Sequence, residues 1–175
     1  MITAVYPGTF DPVHYGHIDI ARRAATVFDR VIIAVYNRPL KNLLFTWQER
    51  LDMMREALKD VPNIELDTYG GVTVEYLRRR GAQVIVRGLR VTYDFELEYQ
   101  MALTNKKLAA EIETVCLVTS LDFAFLSSSI VKEVAIAGGC VDQMVPPHVA
   151  AALADRLAKL GAEGNSKVAL VSLRD

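Results

Sequence analysis

Apolar and polar positions follow two alternating rhythms along this chain. Short apolar runs at 2–6, Arg30 to Tyr36, Asn63 to Thr68, Gln83 to Arg87 and Glu113 to Thr119 read as strands. The second and fourth are nearly unbroken, as strands covered on both faces are. Between them the apolar positions recur at helical spacing. A first helix opens at Gly16 and carries His17, Ala21, Ala24, Ala25 and Phe28 on one stripe. The second starts at the capping box Thr46-Trp47-Gln48-Glu49 and runs to about Lys59. Thr73 to Arg80, Asp94 to Glu111 and Ser127 to Ala137 give three more, the last stopped by Gly138-Gly139. Pro146-Pro147 begin a final helix to about Leu160. This alternation predicts an α/β fold: one Rossmann-like, doubly wound domain over residues 1–160, with a five-stranded parallel sheet and a C-terminal helical segment. Residues 161–175 read as an extension, in which Val168 to Val171 could dock as an extra strand or remain mobile.

Open parallel sheets bind ligands at the carboxyl ends of their strands, and every polar cluster of this chain follows such an end. After the first strand comes Pro7-Gly8-Thr9-Phe10-Asp11-Pro12-Val13-His14-Tyr15-Gly16-His17. Its glycines let the backbone approach a ligand, and the helix that follows aims its positive dipole end and free N–H groups at the loop, a setting that attracts phosphate. His17 there is either a hydrogen-bond donor to phosphate or the cap of the apolar stripe on its own helix. After the second strand, Lys41 offers a flexible positive charge for a phosphate, or is a solvated loop lysine. After the fourth, Arg87 and Arg90 either clamp phosphate or form ion pairs with Asp94, Glu96 or Glu98. After the fifth, Ser127-Ser128-Ser129 start a helix that needs only one serine as its cap, so the surplus favours a second anion.

Charge narrows the partners. Twenty basic against 21 acidic residues give a net charge of −1 and no general footprint for nucleic acid or an anionic membrane. The apolar share of 51% is that of a globular protein, and no run approaches the roughly 20 apolar residues that span a bilayer. Cys116 and Cys140 form no C-x-x-C pair, which fits a reduced, cytoplasmic setting without disulfides. No export signal precedes the first strand. The P-loop and G-x-G-x-x-G fingerprints are missing, as is the G-x-S-x-G elbow of a nucleophilic serine. Asp11, His14 and His17 as metal ligands are the lesser alternative, because Gly16 suggests that His14 lies in a loop.

With these residues assembled, His14-Tyr15-Gly16-His17 resembles the T/H-x-G-H motif of the nucleotidyltransferase superfamily. Arg87-Gly88-Leu89-Arg90 with Asp94-Phe95-Glu96, and Ser127 through Glu133, resemble more specifically the phosphopantetheine adenylyltransferases, over roughly residues 1–160. The resemblance implies adenylyl transfer from ATP to 4′-phosphopantetheine, giving dephospho-coenzyme A and pyrophosphate in coenzyme A biosynthesis, by direct attack without a covalent enzyme intermediate. It implies that His17, Thr9, Lys41 and Arg90 are catalytic. Thr9, Phe10, His17, Gly88, Leu89, Arg90, Glu98, Phe123, Ala124, Phe125, Leu126, Ser127, Ser128 and Ser129 would serve ATP, and Thr9, Lys41, Thr73 and Arg87 the acceptor. It further implies Mg²⁺ carried on the phosphates of ATP without a protein metal site, and a homohexamer. This chain departs from the usual pattern at His14, where threonine is frequent, at Asn42-Leu43 after Lys41, and in its extension from Gly161. Nicotinate-mononucleotide adenylyltransferases share the opening motif but have a late I-S-S-T with a following arginine. Cytidylyltransferases and a catalytically silent nucleotide-binding module on the same fold are the remaining alternatives.

Overall fold

The computed structural model describes residues 1–38 and 43–162. Five strands, β1 (Thr3–Gly8), β2 (Arg30–Tyr36), β3 (Ile64–Tyr69), β4 (Val84–Leu89) and β5 (Glu113–Val118), form one sheet in the order β3-β2-β1-β4-β5. All four pairings are parallel. The connection from β3 to β4 crosses to the other side of β1, so the topological switch lies between β1 and β4, where doubly wound sheets open a crevice.

Helices α1 (Tyr15–Val27), α2 (Trp47–Ala57), α3 (Thr73–Arg80), α4 (Thr92–Leu108), α5 (Ser128–Ile136) and α6 (Pro147–Ala162) fill the connections. The strands alternate their side chains between two cores. Ala4, Val31, Ile33 and Val86 pack with Ile20, Ala24, Met54 and Leu153 on one face. On the other, Val5, Ile32 and Ile85 pack with Val74 and Leu77. This division is what continuous apolar runs in β2 and β4 require.

Element identity follows the sequence throughout, while boundaries shift. The second helix stops at Ala57 instead of Lys59, and the first, third and fourth strands each run one or two residues further at their carboxyl ends. α4 begins at Thr92 and not Asp94, because Asp94 lies inside the first turn with its carboxylate turned back to the backbone N–H of Arg90 at 3.1 Å. It ends at Leu108 instead of Glu111, as Ala109 and Ile112 turn into the second core. A 3-10 turn at Leu121–Phe123, unread in the sequence, precedes α5. α6 continues to Ala162, past the expected limit at 160, and the rest of the extension, with its possible strand at Val168 to Val171, lies outside the described residues.

α4 differs from its neighbours. None of residues 94–108 is buried, and Phe95, Leu97, Tyr99, Met101, Leu103 and Leu108 are all exposed. β5 beside it is an edge strand with no fully buried residue.

Candidate active site

The β1–α1 loop is shaped by one residue in an unusual conformation. Phe10 has φ of 52°, a left-handed geometry costing a non-glycine residue about 1–3 kcal/mol. Its ring is buried and lies over Gly8, where a Cβ would come within 2.6 Å of it. That ring meets Tyr6 edge-on at 5.4 Å and His17 edge-on at 5.0 Å. Gly8 therefore has to be glycine for lack of space.

His14 is the N-cap of α1, in an unusual version of the capping box. Its Nδ1 accepts the backbone N–H of His17 at 3.4 Å, and Nδ1 of His17 accepts the backbone N–H of His14 at 3.3 Å. The two rings stack at 3.6 Å. Since both Nδ1 atoms accept, each neutral ring carries its proton at Nε2. Burial pushes His14 down to about 3, with Arg90 adding to the shift. His17 is also held well below its ordinary value, first by desolvation and then by His14, Arg90 and Arg87. His17 is thus a neutral donor at pH 7. The sequence left it as either a phosphate donor or a core cap; it caps α1 and also lines the cleft.

That cleft, of about 320 Å³, opens over the carboxyl ends of β1 and β4. Thr9, Phe10, His17, Gly88, Arg90, Glu98, Ser127, Ser128 and Ser129 line it, and so does Arg87. Leu89, Phe123, Ala124, Phe125 and Leu126 are not on its walls. Phe125 is exposed, and Leu126 is buried with its carbonyl accepting from Arg90 at 2.8 Å. Thr73 lies in an adjoining recess of about 100 Å³ with Tyr69, Asn105, Arg87 and Glu98, so the last two residues form the wall between the spaces. Lys41 lies outside the described residues.

Of the two readings of the arginines, the structure shows the ion pairs. Arg87 grips Glu98 through two nitrogens, with Nε to Oε2 at 2.7 Å, and donates to the carbonyl of Pro7 at 3.0 Å. Burial works against its charge, but Glu98 more than compensates and holds the guanidinium above its ordinary value. Arg90 is paired with Asp94 at 3.0 Å. Both arginines still face the cleft. Of the three serines, Ser127 caps α5 by accepting from Ile130 N–H at 3.1 Å, and Ser128 donates to the carbonyl of Pro12 at 2.9 Å. Ser129 and the amino end of α5 remain on the cleft wall.

Asp11 is engaged by backbone and by a lysine. Its carboxylate accepts from the N–H groups of Leu44 and Phe45, both at 2.9 Å, and from Nζ of Lys132 at 3.1 Å. Both His Nδ1 atoms are likewise engaged within the loop, and among the described residues no three His, Cys, Asp or Glu side chains are grouped as a metal set would be. Arg50 was missed in the sequence. It is 1% exposed, and it donates to the carbonyls of Thr9, Tyr36 (3.0 Å) and Phe45 (3.2 Å). Burial lowers its pKa while Asp11 draws it back up. The available signal was its place on the same helical stripe as Met53, Met54 and Ala57.

A neutral donor, two arginines and two helix amino ends thus surround one crevice, groups whose chemistry suits an anion. Residues 5–134 match the cytidylyltransferase-like family model, which places the chain among nucleotidyltransferases. The phosphopantetheine adenylyltransferase of Carboxydothermus hydrogenoformans is 54% identical over 161 residues, covering 92% of this chain and 99% of the relative. That of Desulforudis audaxviator is 52% identical, with the same coverage of both. That of Synechococcus elongatus is 53% identical over 89% of this chain and 93% of its own. The chain belongs to the phosphopantetheine adenylyltransferase family. A solved structure from Vibrio parahaemolyticus, assigned as a nicotinate-nucleotide adenylyltransferase, superposes with a TM-score of 0.64 at 15% identity over 87% of this chain and 99% of that one. A lipopolysaccharide core biosynthesis protein from Thermoplasma volcanium gives 0.53 at 19% identity, over 69% and 98%. Both attest the fold.

Proposed function

We propose that this enzyme transfers the adenylyl group of ATP to 4′-phosphopantetheine, releasing pyrophosphate and dephospho-coenzyme A, as a step in coenzyme A biosynthesis. The observation that carries this reading is the meeting of Thr9, His17, Arg87, Arg90 and Ser129 on one cleft above β1 and β4. An oxygen of the acceptor phosphate attacks the α-phosphorus of ATP; the new P–O bond forms as the bond to the β-phosphate bridge breaks, and pyrophosphate leaves. Such a reaction asks the protein for alignment and charge stabilisation more than covalent participation.

In this reading Nε2–H of His17 donates to the phosphoryl oxygens as their charge grows, and Thr9 sits beside the reacting phosphates. Arg90, Gly88 and the amino end of α5 with Ser129 hold the triphosphate. Arg87 and Lys41 receive the acceptor phosphate, and its arm extends past Thr73 into the smaller recess. Arg87 would exchange part of its hold on Glu98 for phosphate, which its mixed carboxylate and carbonyl partners support. Mg²⁺ would neutralise triphosphate charge while bound by phosphate oxygens, which suits a cleft whose carboxylates, Asp94 and Glu98, already hold arginines. No helix of the described residues is long and apolar enough to cross a membrane, and we place the enzyme in the cytoplasm. The many exposed apolar side chains of α4, among them Phe95, Tyr99, Met101 and Leu103, support assembly with further copies of the chain, as a homohexamer.

The deciding experiment compares pyrophosphate release from ATP with 4′-phosphopantetheine and with nicotinate mononucleotide. Turnover with the first alone is expected; turnover with the second alone would overturn the acceptor.

A further inference from the structure

Two buried charged side chains outside the cleft hold the backbone of the loops that form it. Arg50, on α2, donates to the carbonyl of Thr9 in the β1–α1 loop, to that of Tyr36 at the end of β2, and to that of Phe45 just before α2. Asp11 accepts the N–H groups of Leu44 and Phe45 and the ammonium of Lys132 on α5. Tyr36 and Phe45 bracket the β2–α2 connection. Both of its ends are thus fixed to the Thr9–Asp11 segment, and through Lys132 to the helix whose amino end lines the cleft. Neither Arg50 nor Asp11 is on the cleft wall. Among the described residues every partner of Arg50 is a backbone oxygen, so it fixes chain paths.

The Thr9 carbonyl faces Arg50 while Thr9 itself lines the cleft. Phe10, the next residue, is the left-handed one. An arginine that holds the carbonyl before such a residue selects one of the loop's available conformations.

We propose that Arg50, with Asp11 as its counterpart, is a positioning residue for adenylyl transfer: it sets the β1–α1 loop, and with it the cleft residues Thr9 and Phe10, against the end of β2 at Tyr36 and the start of α2 at Phe45. The kinetic half rests on the function proposed above. The clamp itself does not.

The test pairs kinetics with amide hydrogen exchange on Arg50→Met, Arg50→Lys and Asp11→Asn, well below each variant's melting temperature and per ATP-binding site. Loss of alignment should lower kcat by roughly thirtyfold in Arg50→Met and leave the Kd for ATP within about threefold. Arg50→Lys, which keeps a charged donor, should recover part of that loss, and Asp11→Asn should lose less. Exchange at Leu44 and Phe45 should quicken in all three while β1, β2 and β4 stay protected. If Arg50→Met does not fold, the other two variants decide. Unchanged kcat per binding site, or unchanged exchange at Leu44 and Phe45, would overturn the proposal. A wild-type enzyme inactive on 4′-phosphopantetheine would instead overturn the acceptor, and the exchange arm would still decide the clamp.

Discussion

The charged groups beneath the cleft and those on its rim are both paired, yet their partners differ in kind. Beneath, among the described residues, Arg50 bonds to backbone carbonyls alone and Asp11 receives two backbone N–H groups besides Lys132; both are almost wholly buried. On the rim, Arg87 and Arg90 are held mainly by carboxylates, with side chains 35% exposed in each case. A buried charge satisfied by backbone cannot change partners without moving the chain, and losing it strands polar groups in the interior. A half-exposed arginine held by a carboxylate can shift toward another anion at modest cost. The ground holds the loop geometry, and in the proposed function it is the rim that would take the ligand.

The contrast can be broken at its most sensitive point first. His17→Ala should lose about a hundredfold or more in kcat while ATP still binds, since a neutral donor matters most where phosphoryl charge develops. Steady-state kinetics with ATP titration checks this, and an unchanged kcat would return His17 to a purely capping role. Arg87→Met should cost roughly thirtyfold in kcat/KM for the acceptor and no more than about 1 kcal/mol of stability, discounting its pair with Glu98 for exposure. Chemical denaturation showing a loss of about 3–5 kcal/mol, the size typical of a broken buried pair, would move Arg87 from the rim to the foundation.

A third expectation concerns pH. His14 folds neutral, near 3, against an unfolded value of 6.5, so the unfolded state takes up a proton first as pH falls. Its contribution to stability is complete above pH 6.5 and is lost as pH drops from there toward 3. Between pH 7.5 and 5 this amounts to about 2 kcal/mol, with His17 acting in the same direction. Thermal unfolding of His14→Thr across that range should show a flatter profile; an identical slope would mean that His14 is not neutral in the fold. The smallest effects separate adjacent serines. Ser128→Ala should lower stability by about 1 kcal/mol through its bond to Pro12, whereas Ser129→Ala should leave stability alone and weaken ATP binding. Calorimetry and denaturation curves distinguish the two.

The fold was largely legible because its elements announce themselves locally. β2 and the Thr46 capping box stand where their residues put them, and α3 spans Thr73–Arg80 as its pattern predicts. α4 was less well bounded, since its apolar residues follow no single face and Asp94 looks like a cap while serving Arg90. At the site, the convergence of loops could be read from strand ends alone, but pairing could not. Arg87 and Arg90 each had several carboxylates within reach, and only three dimensions choose Glu98 and Asp94. Arg50 stayed hidden because its partners are backbone oxygens, from Phe45 close by and from Thr9 and Tyr36 further along the chain, which leave no mark on residue identity. The run Phe123 to Leu126 reads as part of the serine cluster that it precedes, yet the 3-10 turn diverts it from the cleft wall.

Gly8 shows how far influence can travel from a residue without a side chain. A scan of every substitution along this chain would report position 8 as intolerant beside His17 and Arg90, although Gly8 brings no side chain to the cleft. A single added methyl displaces the Phe10 ring, and that ring is the surface against which the imidazole of His17 rests. Intolerance to substitution in such a map would register wedging at Gly8 and chemistry at His17 as one phenotype, and only the packing beneath them tells the two apart.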